Sequence, residues 1–208
     1  MEDDSDSEEI EVTAAEVIEK LEEAWLNEKF APELLHSKVE LVECLLEQIQ
    51  EMDEKLKAAP KGDIAASLQI MELERVKFIM SSYMRRRIEK IEEFTVHILE
   101  EEAGRSEGQP SKLSPEELRY AKEFADNMES LFSSLALRHM PANMQSIDRK
   151  KVARPNLNSH VFLTVTENQD QVLVDPEEEP FDLEEGTQHI MRYGPVAPLV
   201  NSSAVKLI

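Results

Sequence analysis

From Val17 to His139 the apolar residues recur at every third or fourth position, the repeat of one helical face; from His160 they alternate in twos, the repeat of a half-buried strand. That change of period predicts an α+β protein, mainly α: an elongated helical bundle followed by a small β-rich part. Thr13 with Glu16 reads as a capping box opening a helix that carries Val17, Ile18, Leu21, Ala24 and Trp25, with "NEKFAPELL" as the turn after it. Ser37 with Glu40 repeats the box ahead of Val42, Leu45, Leu46, Ile49, Met52 and Leu56, so a second helix is expected to about Ala59, stopped by "APKGD". Asp63 is placed to cap a third helix from Ile64 to about Glu102, through Leu68, Met71, Val76, Ile79, Met80, Tyr83, Ile88, Ile91 and Ile98. At 1.5 Å per residue it is about 58 Å long, a length that invites a kink. After the loop "AGRSEGQPSK", Ser114 at the N-cap, Pro115 at the first helical position and Glu117 at the third give the best-signalled start in the chain, for a helix to about His139.

On that fourth helix Leu118, Tyr120, Ala121, Phe124, Ala125, Met128, Leu131, Phe132 and Leu135 cover an arc of roughly 160°, wider than the ~100° that one core seam requires. The second helix is similarly broad from Leu41 to Leu46. Long helices of a bundle bury wide stripes among themselves; alternatively, one edge of each stripe faces another protein. The long third helix and the lack of any ligand motif favour the second reading.

Past residue 159 "HVFLTVTE" and "QVLVDP" suggest a hairpin across Asn168 to Asp170; "PFDL" turns at Glu184, Glu185 and Gly186 into "TQHIMRY", and "AVKLI" closes the chain. About fifty residues of short strands bury little apolar surface, so such a module should dock on the bundle or on a partner. Leu207 and Ile208 at the end of the chain point the same way, since apolar terminal residues fray unless tied down. The expected division is an acidic tail over 1–12, a helical domain over 13–139, a linker over 140–158 and a β-rich domain over 159–208.

Charge limits the partners. The formal net charge is −21, from 44 acids against 23 bases, whereas binding a phosphate backbone unaided needs a cationic surface. The chain alone should repel DNA. The most basic stretch is the linker, where Arg138, Arg149, Lys150, Lys151 and Arg154 stand against Asp148 alone; it reads as a charged connector or as a contact to nucleic acid or an acidic neighbour. Arg85, Arg86 and Arg87 splay around a helix and are expected to pair with nearby carboxylates. Ser5, in "DSDSEEIE", lies among the acids that acidophilic kinases accept, in what reads equally as a solubilising tail. No apolar run approaches 18 residues and the amino terminus is acidic, so neither a membrane span nor a secretory signal is expected. The single cysteine, Cys44, forms no internal disulfide, which suits a reducing compartment, cytosol or nucleus.

No catalytic or cofactor motif emerges. His36, His97, His139, His160 and His189 show no metal-ligand spacing, the five glycines form no phosphate-cradling loop, and no nucleophile elbow is present. An enzyme, a metal and a cofactor are all unexpected. The classes that remain are a subunit of a hetero-assembly and a freestanding helical adaptor; the adaptor would homodimerise through the third helix, which lacks a sustained heptad.

"LNEKFAPELL" (26–35), "SSYMRRRIEKIE" (81–92), "LSPEELRYAKEF" (113–124), "LRHMPANMQ" (137–145), "SHVFLTV" (159–165) and "VAPLVNSSAVKLI" (196–208) together resemble the Sld-five subunit family of the eukaryotic GINS complex. The resemblance covers nearly the whole chain after residue 12. It implies a non-catalytic nuclear subunit: a helical A domain, a small β-rich B domain, and assembly with three sister subunits into a heterotetramer. That tetramer joins the minichromosome-maintenance ring and the Cdc-forty-five protein in the replicative helicase, with DNA met only through the complex. Within such an assembly, the residues read as interface anchors are Trp25, Phe30, Tyr120, Phe124, Leu131, Phe132, Leu207 and Ile208.

Overall fold

In the computed structural model, which describes residues 13–57, 63–106, 108–141, 144–145, 152–173 and 180–208, Thr13 opens helix α1 (Ala14–Phe30) with the reciprocal capping box its sequence predicts. The helix runs five residues past Trp25 and ends where Pro32 forces Ala31 into extended backbone (φ −65°, ψ 138°). Helix α2 (Val39–Lys57) starts without the expected Ser37 box. Instead the Lys38 carbonyl accepts from the Leu41 and Val42 amides, the Ser37 amide donates to the Lys112 carbonyl, and the Lys38 amide donates to the Tyr83 hydroxyl. Those contacts fix the turn, and the side-chain cap becomes redundant. The stop at "APKGD" lies almost wholly outside the described residues.

Asp63 caps helix α3 (Ile64–Ala103) by accepting from the Ala65 amide. The 40-residue helix kinks at Phe94 (φ −113°, ψ 23°), where the Thr95 hydroxyl donates to the Ile91 and Glu92 carbonyls and so loosens the regular ladder. Its inward residues are Leu73, Val76, Ile79, Tyr83, Arg87, Ile91, Thr95 and Ile98; Leu68, Met71 and Ile88, expected on that stripe, are exposed. Helix α4 (Pro115–Leu135) opens with the Ser114–Glu117 capping box, and the 3-10 turn Leu137–His139 ends it short of the expected regular helix. Because Ser114 is itself buried, Ser114→Ala should cost about 1–2 kcal/mol, read as a lowered urea midpoint at unchanged m-value.

The carboxy-terminal part departs most from expectation. Strand β1 (His160–Val165) does not pair with the next segment: it is the centre of a three-stranded antiparallel sheet, between β4 (Gln188–Arg192) and β5 (Val205–Leu207). The registers run Phe162 opposite Ile190 and Leu163 opposite Leu207. Strand β2 (Gln169–Val172) pairs with β3 (Phe181–Leu183) as a separate ribbon with irregular register. β1 buries Val161, Leu163 and Val165 on one face and needs two apolar neighbours, whereas β2 is mostly polar and holds Gln171 in left-handed backbone (φ 58°). The turn at Gly186 (φ 79°) leads into β4 as expected. Between β4 and β5 lies a helix the apolar pattern did not reveal, α5 (Tyr193–Asn201), which contains Pro195 and Pro198 yet buries Tyr193, Val196 and Val200.

Three apolar clusters line α3: Ile49, Leu73 and Val76; then Val17, Leu21, Leu45, Ile79 and Tyr83; then Leu34, Ile91, Ile98, Leu113 and Ala121. A fourth, built on β1, β5 and α5, reaches across to Ala31 and Leu35, so the β-rich part docks on the chain's own helices. The Leu207 amide donates to Asn27 Oδ1 (2.8 Å), which covers the outer edge of β5 with α1.

Candidate protein-interaction surfaces

At the junction of all these elements, Arg87 is fully buried and each of its five N–H groups has an acceptor. Nε and Nη2 donate to the two Glu117 carboxylate oxygens (2.7 and 2.9 Å), Nη1 to Glu28 Oε2 (3.1 Å) and the Leu35 carbonyl, and the remaining Nη2 proton to the Lys112 carbonyl. Burial opposes the charge, but the Glu117 and Glu28 carboxylates more than offset it and hold Arg87 above its ordinary value. Glu117 is therefore both the third residue of the α4 capping box and the counter-ion of α3. Lys90 adds a second cation on Glu28 (2.7 Å), and burial draws its amine below the usual range. From the adjacent loop Glu33 takes Lys112 (3.0 Å) and accepts from the Tyr193 hydroxyl (2.9 Å), and burial with that carboxylate raises the Tyr193 phenol. The ionic cluster thus ties α1, α3, α4 and the β-rich part into one frame, and it is internal.

Outside this frame stand several exposed large apolar side chains. On α4 only Glu117 and Ala121 are buried; Leu118, Phe124, Ala125 and Met128 are half-buried, and Leu131, Phe132 and Leu135 are 48, 46 and 70% exposed, so the carboxy-terminal end of the broad stripe is left largely open by the chain itself. Tyr120 stacks on Phe124 (6.1 Å between centroids) and donates to Glu92 Oε1 (2.5 Å), which raises its phenol. Between α4 and the far half of α3 lies a groove of about 1250 Å³, lined by the apolar side chains Val96, Leu99, Ala125, Met128, Phe132 and Leu137, with Gln145 and Val152 from the stretch after α4 also at its wall. Carboxylates rim it: Glu92, Glu93 and Glu100 from α3, Asp126 and Glu129 from α4, with Arg138 as the one lining cation among the described residues.

A second apolar area occupies the other end. Trp25 packs partly into the α1–α3 cluster and donates from Nε1 to Ser82 Oγ (3.0 Å), while its ring meets the edge of Phe78, which is 61% exposed. Lys29 Nζ lies 5.3 Å from the Trp25 ring and 4.9 Å from the exposed Phe30 ring. Ile64, Leu68 and Met71 continue the exposed surface along α3. A third area is a row across the outer face of the sheet: Ile190, Phe162 and Ile208.

Of the expected anchors, Phe30, Tyr120, Leu131, Phe132 and Ile208 are exposed, and Trp25 and Phe124 are half-buried. Leu207 is a correction: it is fully enclosed in the chain's own core, because alternation along β5 turns Leu207 inward and Ile208 outward. Arg154 is exposed, 3.9 Å from Glu100; Arg149, Lys150, Lys151 and Ser5 lie outside the described residues. Residue types missed Phe78, Phe162 and Ile190, although the alternation of "HVFLTV" already sets Phe162 opposite to Val161 and Leu163. Among the described residues no group of His, Cys, Asp or Glu is arranged to hold a metal ion, and no helix is long and apolar enough to cross a membrane.

Known proteins match along nearly this entire chain. Residues 39–136 match the family described as GINS complex protein helical bundle domain, and residues 155–208 the family described as DNA replication complex GINS protein SLD5 C-terminus. A mouse protein named DNA replication complex GINS protein SLD5 is 54% identical over 211 residues, covering 99% of this chain and 95% of its own length. The Xenopus laevis protein of that name is 54% identical over 210 residues, covering 98% and 95%. The Arabidopsis thaliana one is 32% identical over 204 residues, covering 92% and 90%.

Proposed function

Since the chain belongs to the SLD5 family of GINS proteins, non-catalytic subunits of a DNA replication complex, we propose that it works as one quarter of the GINS heterotetramer in the nucleus, bound to three sister subunits. In this reading the tetramer joins the minichromosome-maintenance ring and the Cdc-forty-five protein and braces the replicative helicase during initiation and fork progression. The tail over 1–12, the A domain over 13–139, the linker over 140–158 and the B domain over 159–208 are the working units of that subunit. DNA is reached through the complex, in keeping with a net charge of −21.

The observation that carries this reading is the uncovered face of α4. Fully burying a large apolar side chain is worth about 1.5–3 kcal/mol, and covering the roughly half of Leu131, Phe132 and Leu135 that is still exposed contributes about half of that for each toward association. Expressed alone, the chain is expected to be poorly soluble or to self-associate. Co-expressed with three sister subunits, it should elute as a single species with the mass of one copy of each. A stable, monodisperse lone monomer that takes up no sister subunit would defeat the proposal, and a homodimer joined through α3 would favour the adaptor reading instead.

A further inference from the structure

We propose that the groove between α3 and α4 receives a single basic, amphipathic helix of about three turns from a sister subunit, so that partner choice at this face is set by charge as well as by apolar fit. The inference rests on the assembly reading above and adds which surface is used and what chemistry fills it. The groove runs from Glu92 to Ala103 on α3 and from Ala125 to Leu137 on the α4 side, about 17 Å at helical rise, or three turns. Two helices lying side by side with an apolar floor between them accept a third whose ridges enter that floor. The Val96, Leu99, Met128 and Phe132 side chains present the floor, and strand-like occupants have no free sheet edge there to pair with.

Charge then selects among helices. Glu92, Glu93 and Glu100 stand along one bank and Asp126 and Glu129 along the other, against Arg138 in the lining and Arg154 beside Glu100. Glu92 already accepts from Tyr120, but Glu93, Asp126 and Glu129 have no ion-pair partner among the described residues. A helix with acidic flanks, including a second copy of this carboxylate-rich helix pair, meets like charge on both banks. A helix with Lys or Arg beside its apolar stripe meets opposite charge on both.

The test uses the full chain with its three sister subunits. Glu93→Lys, Asp126→Lys and Glu129→Lys combined should weaken assembly by about tenfold or more at low salt, and wild-type assembly should weaken as salt rises. A control triple on exposed α2 residues, Glu43→Lys, Glu47→Lys and Glu54→Lys, should change it less than about threefold, with circular dichroism showing both variants folded. A photo-crosslinking residue at Phe132 should label a sister-subunit helix whose apolar positions are flanked by Lys or Arg. Labelling of an acidic segment, of a second copy, or of the chain's own residues 146–151 would overturn the proposal, as would assembly indifferent to the groove charges. A wild-type chain that joins no sister subunit overturns the assembly reading itself, whereas a normal tetramer insensitive to the groove triple overturns only the groove assignment.

Discussion

Arg87→Met is expected to destabilise the chain by about 3–5 kcal/mol, more than any exchange of an exposed charge, because it leaves Glu117 buried without its counter-ion and Glu28 with Lys90 alone. Arg87→Lys should lose nearly as much. A lysine brings three donors from one point, whereas the site uses five N–H groups in a planar fork toward two carboxylates and two carbonyls. Urea titration followed by circular dichroism measures both. A Lys variant within about 0.5 kcal/mol of wild type would mean that the fork geometry is immaterial and only the charge counts. By contrast Arg86→Ala, which removes an exposed pair with Glu89, should stay within about 0.5 kcal/mol.

Leu207→Ala should cost about 2–5 kcal/mol, the range for removing a large side chain from a closed core, and the adjoining Ile208→Ala much less, because Ile208 is 38% exposed and Leu207 not at all. The loss should be local at first. Trp25 is the only tryptophan and lies in the helical part, so fluorescence reports the bundle, while hydrogen exchange at β1 and β5 reports the sheet. In Leu207→Ala the sheet amides should exchange faster at temperatures where Trp25 emission is unchanged. If both signals move together, the two parts unfold as one unit and the docking contact is as strong as either core.

Signals carried by neighbouring residues were legible in the sequence: the boxes at Thr13 and Ser114, the Asp63 cap, the length and bend of α3, and the period change near 160. Signals set by distant residues were not. Ser37 has the composition of a cap, yet the turn is held by Lys112 and Tyr83, 75 and 45 residues away along the chain. β1 and β2 look like a hairpin because they are consecutive, but β1 needs two apolar edges and finds them in β4 and β5. Two prolines hid α5: Pro195 falls in the first turn, where its missing N–H is harmless, and tertiary burial of Tyr193, Val196 and Val200 overrides Pro198. The Arg85–Arg87 run predicts pairs with carboxylates, and Arg86 and Arg87 form them; what the run does not reveal is that Arg87 is the largest fully buried side chain among the described residues, a choice fixed by which helix face meets Glu28 and Glu117. The breadth of the α4 stripe was readable, but the groove beside it depends on how α3 lies against α4 beyond the Phe94 kink.

The bond from Tyr193 to Glu33 joins residues 160 positions apart, and that from Leu207 to Asn27 spans 180. At a synthesis rate of roughly 5–20 residues per second, the segment around Asn27 to Leu35 leaves the ribosome on the order of ten to thirty seconds before the partners that will enclose it exist. Until α5 and β5 have been made, Ala31 and Leu35 lack the apolar neighbours that enclose them in the folded chain.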